Sequence, residues 1–494
     1  MTEPAFRSAT ALAEAVRARQ IGCRELFEHY LGRVERHNPA LNAIIVTDLR
    51  GARRRADEAD AALARGESWG PLHGLPMTVK ESFDVVGMRT TWGLTELKDN
   101  IATANALAVD RLLAAGAVIF GKTNVPVLLA DSQSYNPIYG TTNNPWDLSL
   151  TPGGSSGGAA AALAAGLTGL ELGSDIGGSI RNPAHYCGVF GHKPTWGIAP
   201  PRGQALYGNV AASDISVIGP LARGAEDLAL ALDIIAGPDP VEAAGWRLDL
   251  AAPRGNALSD YRIAVMLDDP NCEVDRQVQD ILQALVDFLA GQRVRVSDRA
   301  RPDINTAALH AVYIKLLRAA TSRRLTREVF ERHVEAARGL DPGDQSYVSL
   351  MMRGVTLSHR DWLAGNEERH RLRLKWADFF RDYDLLLCPV TAGAAYPHDH
   401  DHQDERWKRM IQINGRPVPT INDLFWAGIS GLVYLPATVA PAGLTTKGLP
   451  VGVQIVGPQY GDKSCIAFAG LLQRAYRLAA AIRRARKSGD PLQV

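Results

Sequence analysis

Two short segments of this chain set serine among glycines, a combination suited to nucleophilic chemistry. They are Thr151-Pro-Gly-Gly-Ser-Ser-Gly-Gly-Ala-Ala and Gly173-Ser-Asp-Ile-Gly-Gly-Ser-Ile-Arg. Glycine reaches backbone angles that other residues avoid and lets main-chain N–H groups approach a ligand closely, as an oxyanion site requires. As a phosphate-binding loop the first segment fails, because no Lys-Ser or Lys-Thr follows its glycines. As a nucleophile elbow it has a literal match in Gly153-Gly154-Ser155-Ser156-Gly157, which would make Ser155 the nucleophile of an α/β-hydrolase. That reading needs a hydrophobic strand just upstream, whereas Asn144-Pro-Trp-Asp-Leu-Ser-Leu-Thr-Pro reads as a loop. A tight turn capping the next helix is the plainest reading, and for one glycine-rich segment alone it leads.

A third segment shifts the balance. Gly74-Leu-Pro-Met-Thr-Val-Lys80 ends an apolar strand candidate on a lysine, a place from which charge is normally excluded. A snorkelling lysine is the ordinary explanation. A desolvated, neutral lysine is a competent base if its pKa falls from about 10.4 toward 7, a shift of about 4 kcal/mol that burial can supply. His185 lies close after Ser179 and Cys187 follows, but with Lys80 available a packing histidine and a buried structural thiol are the better readings. His398-Asp-His-Asp-His402 alternates in a polar loop, a poor fit to metal-ligand spacing, and reads as a solvated loop near the site mouth.

These residues need a scaffold. Apolar residues at helical spacing from Thr10 to Asn38 predict two helices. Strands are expected at Met77 to Val79, Ala117 to Phe120, Arg262 to Leu267, Leu385 to Leu387, Ala437 to Ala440 and Val451 to Val456. Helices are expected at Ala106 to Ala115, Gly158 to Ala165 and Val274 to Leu289, and amphipathic helices from Ser346 to Asp384. Such alternation argues for an α/β fold, a mostly parallel sheet covered by helices. The Pro-, Gly- and Ala-rich stretch from Gly237 to Asp260 starts no new composition and reads as a surface excursion, so the 494 residues are expected to form one domain with a helical segment at about residues 1–70.

Composition narrows the partners. Hydrophobic residues make up 46% and charged residues 22%, ordinary for a globular chain, and the formal charge of +1 supplies no field for nucleic acid or anionic membrane. A small-molecule substrate fits better. The basic run Arg483, Arg484, Arg486 and Lys487 suits a helix end or solvated tail. Five scattered cysteines (Cys23, Cys187, Cys272, Cys388 and Cys465) without a CxxC pair argue for a reducing compartment. No apolar run reaches membrane-spanning length, and a cytoplasmic protein is expected.

Taken together, Lys80, Pro152-Gly-Gly-Ser155-Ser-Gly-Gly and Gly173-Ser-Asp-Ile-Gly-Gly-Ser179-Ile-Arg-Asn-Pro resemble the amidase signature family. Gly121-Lys-Thr-Asn-Val-Pro, Tyr139-Gly-Thr-Thr-Asn-Asn-Pro-Trp, Cys187-Gly-Val-Phe-Gly-His-Lys-Pro-Thr and Gly448-Leu-Pro-Val-Gly-Val-Gln-Ile-Val-Gly-Pro extend the resemblance over nearly the whole chain. It implies a large twisted mixed sheet with helices on both faces and a Ser, cis-Ser, Lys triad: Ser179 as nucleophile, Ser155 as relay, Lys80 as base. It also implies an oxyanion site from the N–H groups of Ile176, Gly177, Gly178 and Ser179, a small-molecule amide, ester or carbamate substrate, and no metal or organic cofactor. Dimerisation is common in the family, so a homodimer is among the expectations. Leu129 resembles an acyl-channel residue of fatty-acid amide hydrolases.

Departures from the common wording fall at Glu81-Ser82, Trp92, Asn182, His185 and His192, outside the triad. Three rivals stay open: the glutaminase component of an amidotransferase, whose tyrosine pair and Ser-Ser-Asn-Leu wording are not found here, a Ser155-nucleophile α/β-hydrolase, and a catalytically silent binder.

Overall fold

The computed structural model describes residues 3–402 and 405–476; the basic run from Arg483 to Lys487 lies outside the described residues. The helical spacing after Thr10 resolves into helices Ala9–Arg17 and Cys23–Leu41. Asp60 caps the second by accepting from the N–H groups of Cys23 and Arg24 at 2.7 and 3.0 Å, replacing the partners a helix start lacks.

Strands β1 (Ile44–Thr47), β2 (Pro76–Lys80) and β3 (Val118–Thr123) form a three-stranded sheet in the order β1-β3-β2. A short ladder joins β4 (Tyr135–Asn136) to β5 (Gly140–Thr141). The main sheet contains β6 (Glu171–Asp175), β7 (Phe190–Lys193), β8 (Val217–Ala222), β9 (Arg262–Val265), β10 (Arg295–Ser297) and β11 (Leu385–Pro389). After a hairpin of β12 (Met410–Ile413) and β13 (Arg416–Pro419), β14 (Ala437–Leu444) and β15 (Pro450–Val456) complete it. Its order is β10-β9-β11-β15-β14-β7-β8-β6.

The sheet is mixed and helix-covered as expected, but it is not mostly parallel. Among its described strands only β9 pairs in parallel, with β10 and β11; the remaining neighbours are antiparallel. The reason is insertion. The unit β6, helix Arg181–Cys187, β7 runs its two strands in the same direction, yet β8 wedges between them antiparallel to both. In the same way β15 lies between β11 and β14. A strand–helix–strand alternation reports strand direction and not which later strand fills the gap.

The seam between the two sheets creates the site. On β2, the Thr78 N–H donates to Thr168 Oγ1 at 3.0 Å and its hydroxyl donates to Glu171 on the edge strand β6, so the two sheets abut where β2 ends. Against this seam packs the helix Gly157–Ala164, buried on every side and built from Gly, Ala and Leu. Its small residues are a packing requirement: a Cβ on Gly158 would lie 2.3 Å from the backbone nitrogen of Asn124. The Gly158→Ala protein is therefore expected to lose about 1–3 kcal/mol of stability through overpacking. Chemical denaturation measures this, and an unchanged midpoint would contradict the close approach.

Candidate active site

Lys80 is the last residue of β2 and is fully buried. Its Nζ donates to Ser155 Oγ at 2.7 Å, Ser156 Oγ at 2.9 Å and Ser174 Oγ at 3.0 Å, all neutral acceptors. No carboxylate lies within ion-pair distance of it among the described residues. Burial pulls the amine well below the ordinary lysine range; Asp175 and Glu171 pull the other way, and the charge of Arg324 reinforces the drop.

Ser155 follows the Thr151–Gly154 loop, and the Gly154–Ser155 peptide bond is cis. The loop is pinned from both sides. Ser134 donates to the Gly153 carbonyl and accepts from the Gly157 N–H, both at 3.0 Å, while Asn182 accepts from the Gly154 N–H at 3.2 Å. Asn182, a departure from the family wording, thus holds the serine loop. The segment upstream of Ser155 is turns and bends, so the strand that a nucleophile elbow demands is missing.

Ser179 lies in the turn between β6 and the helix Arg181–Cys187, 8% exposed, with its carbonyl accepting from the Ser156 N–H at 3.1 Å. Asp175 shapes this turn. Its carboxylate accepts from the N–H groups of Gly178 at 2.9 Å and Ile180 at 3.0 Å, and Arg181 grips it in a two-pronged pair at 2.9 and 3.0 Å. Burial would push the Asp175 carboxyl up, but Arg181 outweighs it and holds the group well below the usual carboxylate range. Arg181 in turn donates to the Ala427 carbonyl, Ser430 Oγ and Gln454 Oε1.

One expectation needs correction. Gly178 lines the cavity, but its N–H is spent on Asp175, so it does not belong with the open donors. The N–H groups of Ile176, Gly177 and Ser179 are engaged by no acceptor among the described residues. Gly178 has φ +97°, which explains the glycine there by backbone need instead. A cavity of 470 Å³ opens beside these groups, bordered by Ser179, Ile176, Leu129 and Leu424. Leu129 is thus a lining residue. No hydrogen bond joins the hydroxyls of Ser155 and Ser179 among the described residues.

Other candidates fall away from the chemistry. His185 accepts from the Gly452 N–H at 2.9 Å and faces the Gly393 carbonyl at 3.1 Å; burial holds it down to about 4, making it a packing residue. His192 is fastened between Thr438 and Asp462, and the Cys187 thiol donates to the Pro152 carbonyl. His400 stacks on Tyr135 with ring centres 3.8 Å apart, so the loop from His398 is partly packed onto the cavity wall. Sequence reasoning missed Ser156 and Ser174, which complete the cage around Lys80; hydroxyls in glycine-rich segments carry no signal of which one turns toward an amine.

Glu171 sits behind the cage, where burial pushes its carboxyl up to about 8 against the hydrogen bonds it accepts. A folded-state pKa above the unfolded one favours the fold at acid pH and loses that contribution as pH rises toward about 8. Glu171→Gln should therefore match the wild type in Tm near about pH 5 and increasingly exceed it toward about pH 8. A pH-independent difference in thermal denaturation would contradict this.

Comparison with known proteins supplies the context for this geometry. The sequence model of the Amidase family matches residues 25–466. The chain is 32% identical over 486 residues to an indoleacetamide hydrolase of Bradyrhizobium diazoefficiens, covering 96% of this chain and 87% of that protein. It is 33% identical over 483 residues to a glutamyl-tRNA(Gln) amidotransferase subunit of Anaeromyxobacter sp. strain K, covering 93% and 94% respectively. Among solved structures, a bacterial aryl acylamidase of the amidase signature family superposes with a TM-score of 0.80 at 25% identity, covering 97% of this chain and 98% of that one. With the match running along nearly its whole length, this chain belongs to the amidase signature family.

Proposed function

We propose that the protein hydrolyses a linear carboxylic amide through an acyl-enzyme on Ser179. The observation that carries the reading is the buried Lys80 amine, 2.7 Å from the Ser155 hydroxyl and surrounded by neutral groups. A lysine in that setting favours its uncharged form and can accept a proton.

In the reaction, neutral Lys80 takes the Ser155 hydroxyl proton while Ser155 Oγ takes that of Ser179, whose oxygen attacks the amide carbonyl carbon. The relay requires a hydrogen bond between the two serine hydroxyls in the substrate complex, which side-chain rotation can supply. The N–H groups of Ile176, Gly177 and Ser179 receive the oxyanion that develops on the carbonyl oxygen. Lys80 returns the proton through Ser155 to the leaving nitrogen, the carbon–nitrogen bond breaks, and an ester to Ser179 remains. Water, deprotonated by the same relay, releases the carboxylic acid and restores Ser179. Esters and carbamates present the same acyl carbon to the same groups.

The similarity to amidotransferase subunits supports a second reading, release of ammonia for transfer by a partner. Amine release by the isolated chain from aliphatic, aryl and carbamate substrates separates the two. Ser179→Ala should lower kcat by about 10⁴-fold or more, and Lys80→Ala by about 10²–10⁴-fold. Because the base acts when neutral and its pKa is lowered, kcat/KM should climb with pH to a plateau reached well below the ordinary lysine range. Full activity in Lys80→Ala, or a rate that falls across that range, would remove Lys80 from the mechanism.

A further inference from the structure

The mechanism leaves unused a group of arginines on the cavity wall. Arg318, Arg324 and Arg406 all border the 470 Å³ cavity that Ser179 opens into. Arg318 ends the helix Thr306–Thr321, Arg324 follows in the next turn, and Arg406 arrives from a separate segment after β11. The helix is fastened to the active-site turn, since the Tyr313 hydroxyl donates to the Ile176 carbonyl at 3.0 Å. Arg318, five residues on, stands about 7.5 Å farther along the helix axis.

None of the three has a carboxylate partner among the described residues. Arg318 donates to the Tyr347 hydroxyl, and its Nε is buried without a partner. Arg324 donates to the Leu128 carbonyl at 3.1 Å and lies over the Trp92 ring. The Arg406 guanidinium makes no hydrogen bond to a described residue. Their charges repel one another: Arg318 acts on both Arg324 and Arg406. Cations left near each other and partly desolvated are unfavourable unless an anion joins them.

The acids on the same wall do not fill that role. Asp131 is paired with Arg409 at 2.7 Å; it attracts Arg406 through space more strongly than Arg318 repels it, but forms no ion pair with it. Asp423 accepts from the Tyr186 hydroxyl and the Ala392 N–H, and burial pushes it up to about 6. Arg332 adds a further positive charge to the cavity lining. A cation at a helix C-terminus accounts for Arg318 through the helix dipole. It does not account for Arg324 and Arg406, which lie outside that helix.

We propose that the substrate of this site carries a carboxylate away from the scissile amide, and that Arg318, Arg324 and Arg406 receive it. The planar guanidinium matches a carboxylate with paired N–H donors, which fixes the substrate at its far end while Ser179 meets its carbonyl. The apolar part of the lining, which includes Leu129, Leu317, Val355 and Leu424, suits an aliphatic or aryl body. This inference rests on the amidase reading of Ser179 and names the substrate class for it.

The test uses matched amides, with the carboxylate on the acyl side in one series and on the amine side in another, each paired with its primary-carboxamide analogue. In at least one series the wild type should favour the carboxylate by about tenfold or more in kcat/KM, chiefly through KM. Arg406→Met and Arg406→Gln should abolish that preference while changing the carboxamide by less than about threefold. Equal rates for carboxylate and carboxamide in both series, or equal losses on both in the variants, would overturn the assignment. Equilibrium binding of the same pairs to the Ser179→Ala protein reads the preference without turnover. Anion preference in binding with no hydrolysis would count against the amidase reading alone, and hydrolysis without anion preference against this inference alone.

Discussion

The architecture of the site depends on keeping one amine dry. Lys80 ends a buried strand and meets serine hydroxyls and a backbone carbonyl, with no described carboxylate close enough to pair with it. A lysine paired with an acid would hold its proton and be useless as a base; a lysine with no acceptors would leave its donors unsatisfied. Three hydroxyls resolve the conflict, since each can accept from the amine or donate to it. This requirement brings together the end of β2, the start of the helix Gly157–Ala164 and the end of β6.

Nearby charge is handled by segregation. Asp175, one residue beyond the Ser174 that touches Lys80, is tied to the Arg181 side chain and to three backbone N–H groups. A buried ion pair adds little net stability compared with apolar packing, but its geometry is specific. Here it sets the path of the turn from Ile176 to Ile180, turning Gly178 toward Asp175 and leaving its neighbours' N–H groups open. Glu171, on the other side, has its carboxyl pushed up to about 8 by burial, which weakens its pull on the amine.

Several of the residues that depart from common family wording satisfy backbone groups in this protein, and Asn182 also lines the cavity. Asn182 holds the Gly154 N–H, His185 joins the backbones at Gly393 and Gly452, and His192 bridges Thr438 and Asp462. Glu81 accepts from the Thr91 and Trp92 N–H groups, which stabilises the backbone where Trp92 adopts φ +54°. In each case a buried polar side chain satisfies backbone groups that the local loop leaves unpaired.

The candidate residues stood out by type, while the roles assigned to them came from the family resemblance. Serine between glycines and a lysine closing an apolar strand are locally costly choices, and local cost is visible in a linear sequence. The apolar runs likewise marked β2, β3, β9, β11, β14 and β15. Strands β6 and β7 carry Glu171, Ser174, Asp175, His192 and Lys193, and their polarity hid them, because burial of such groups is made tolerable only by partners distant in sequence. Sheet order was hidden for a related reason: β8 and β15 slot between strands whose direction was set earlier in the chain. By itself the sequence determined which groups are available for acyl chemistry and which segments are glycine-flexible. Only the tertiary structure decided that Ser156 and Ser174 enclose Lys80, that Asp175 takes the Gly178 N–H, and that Arg324 and Arg406 share one cavity with Ser179, because each of these depends on the direction of side chains and N–H groups brought together across the fold.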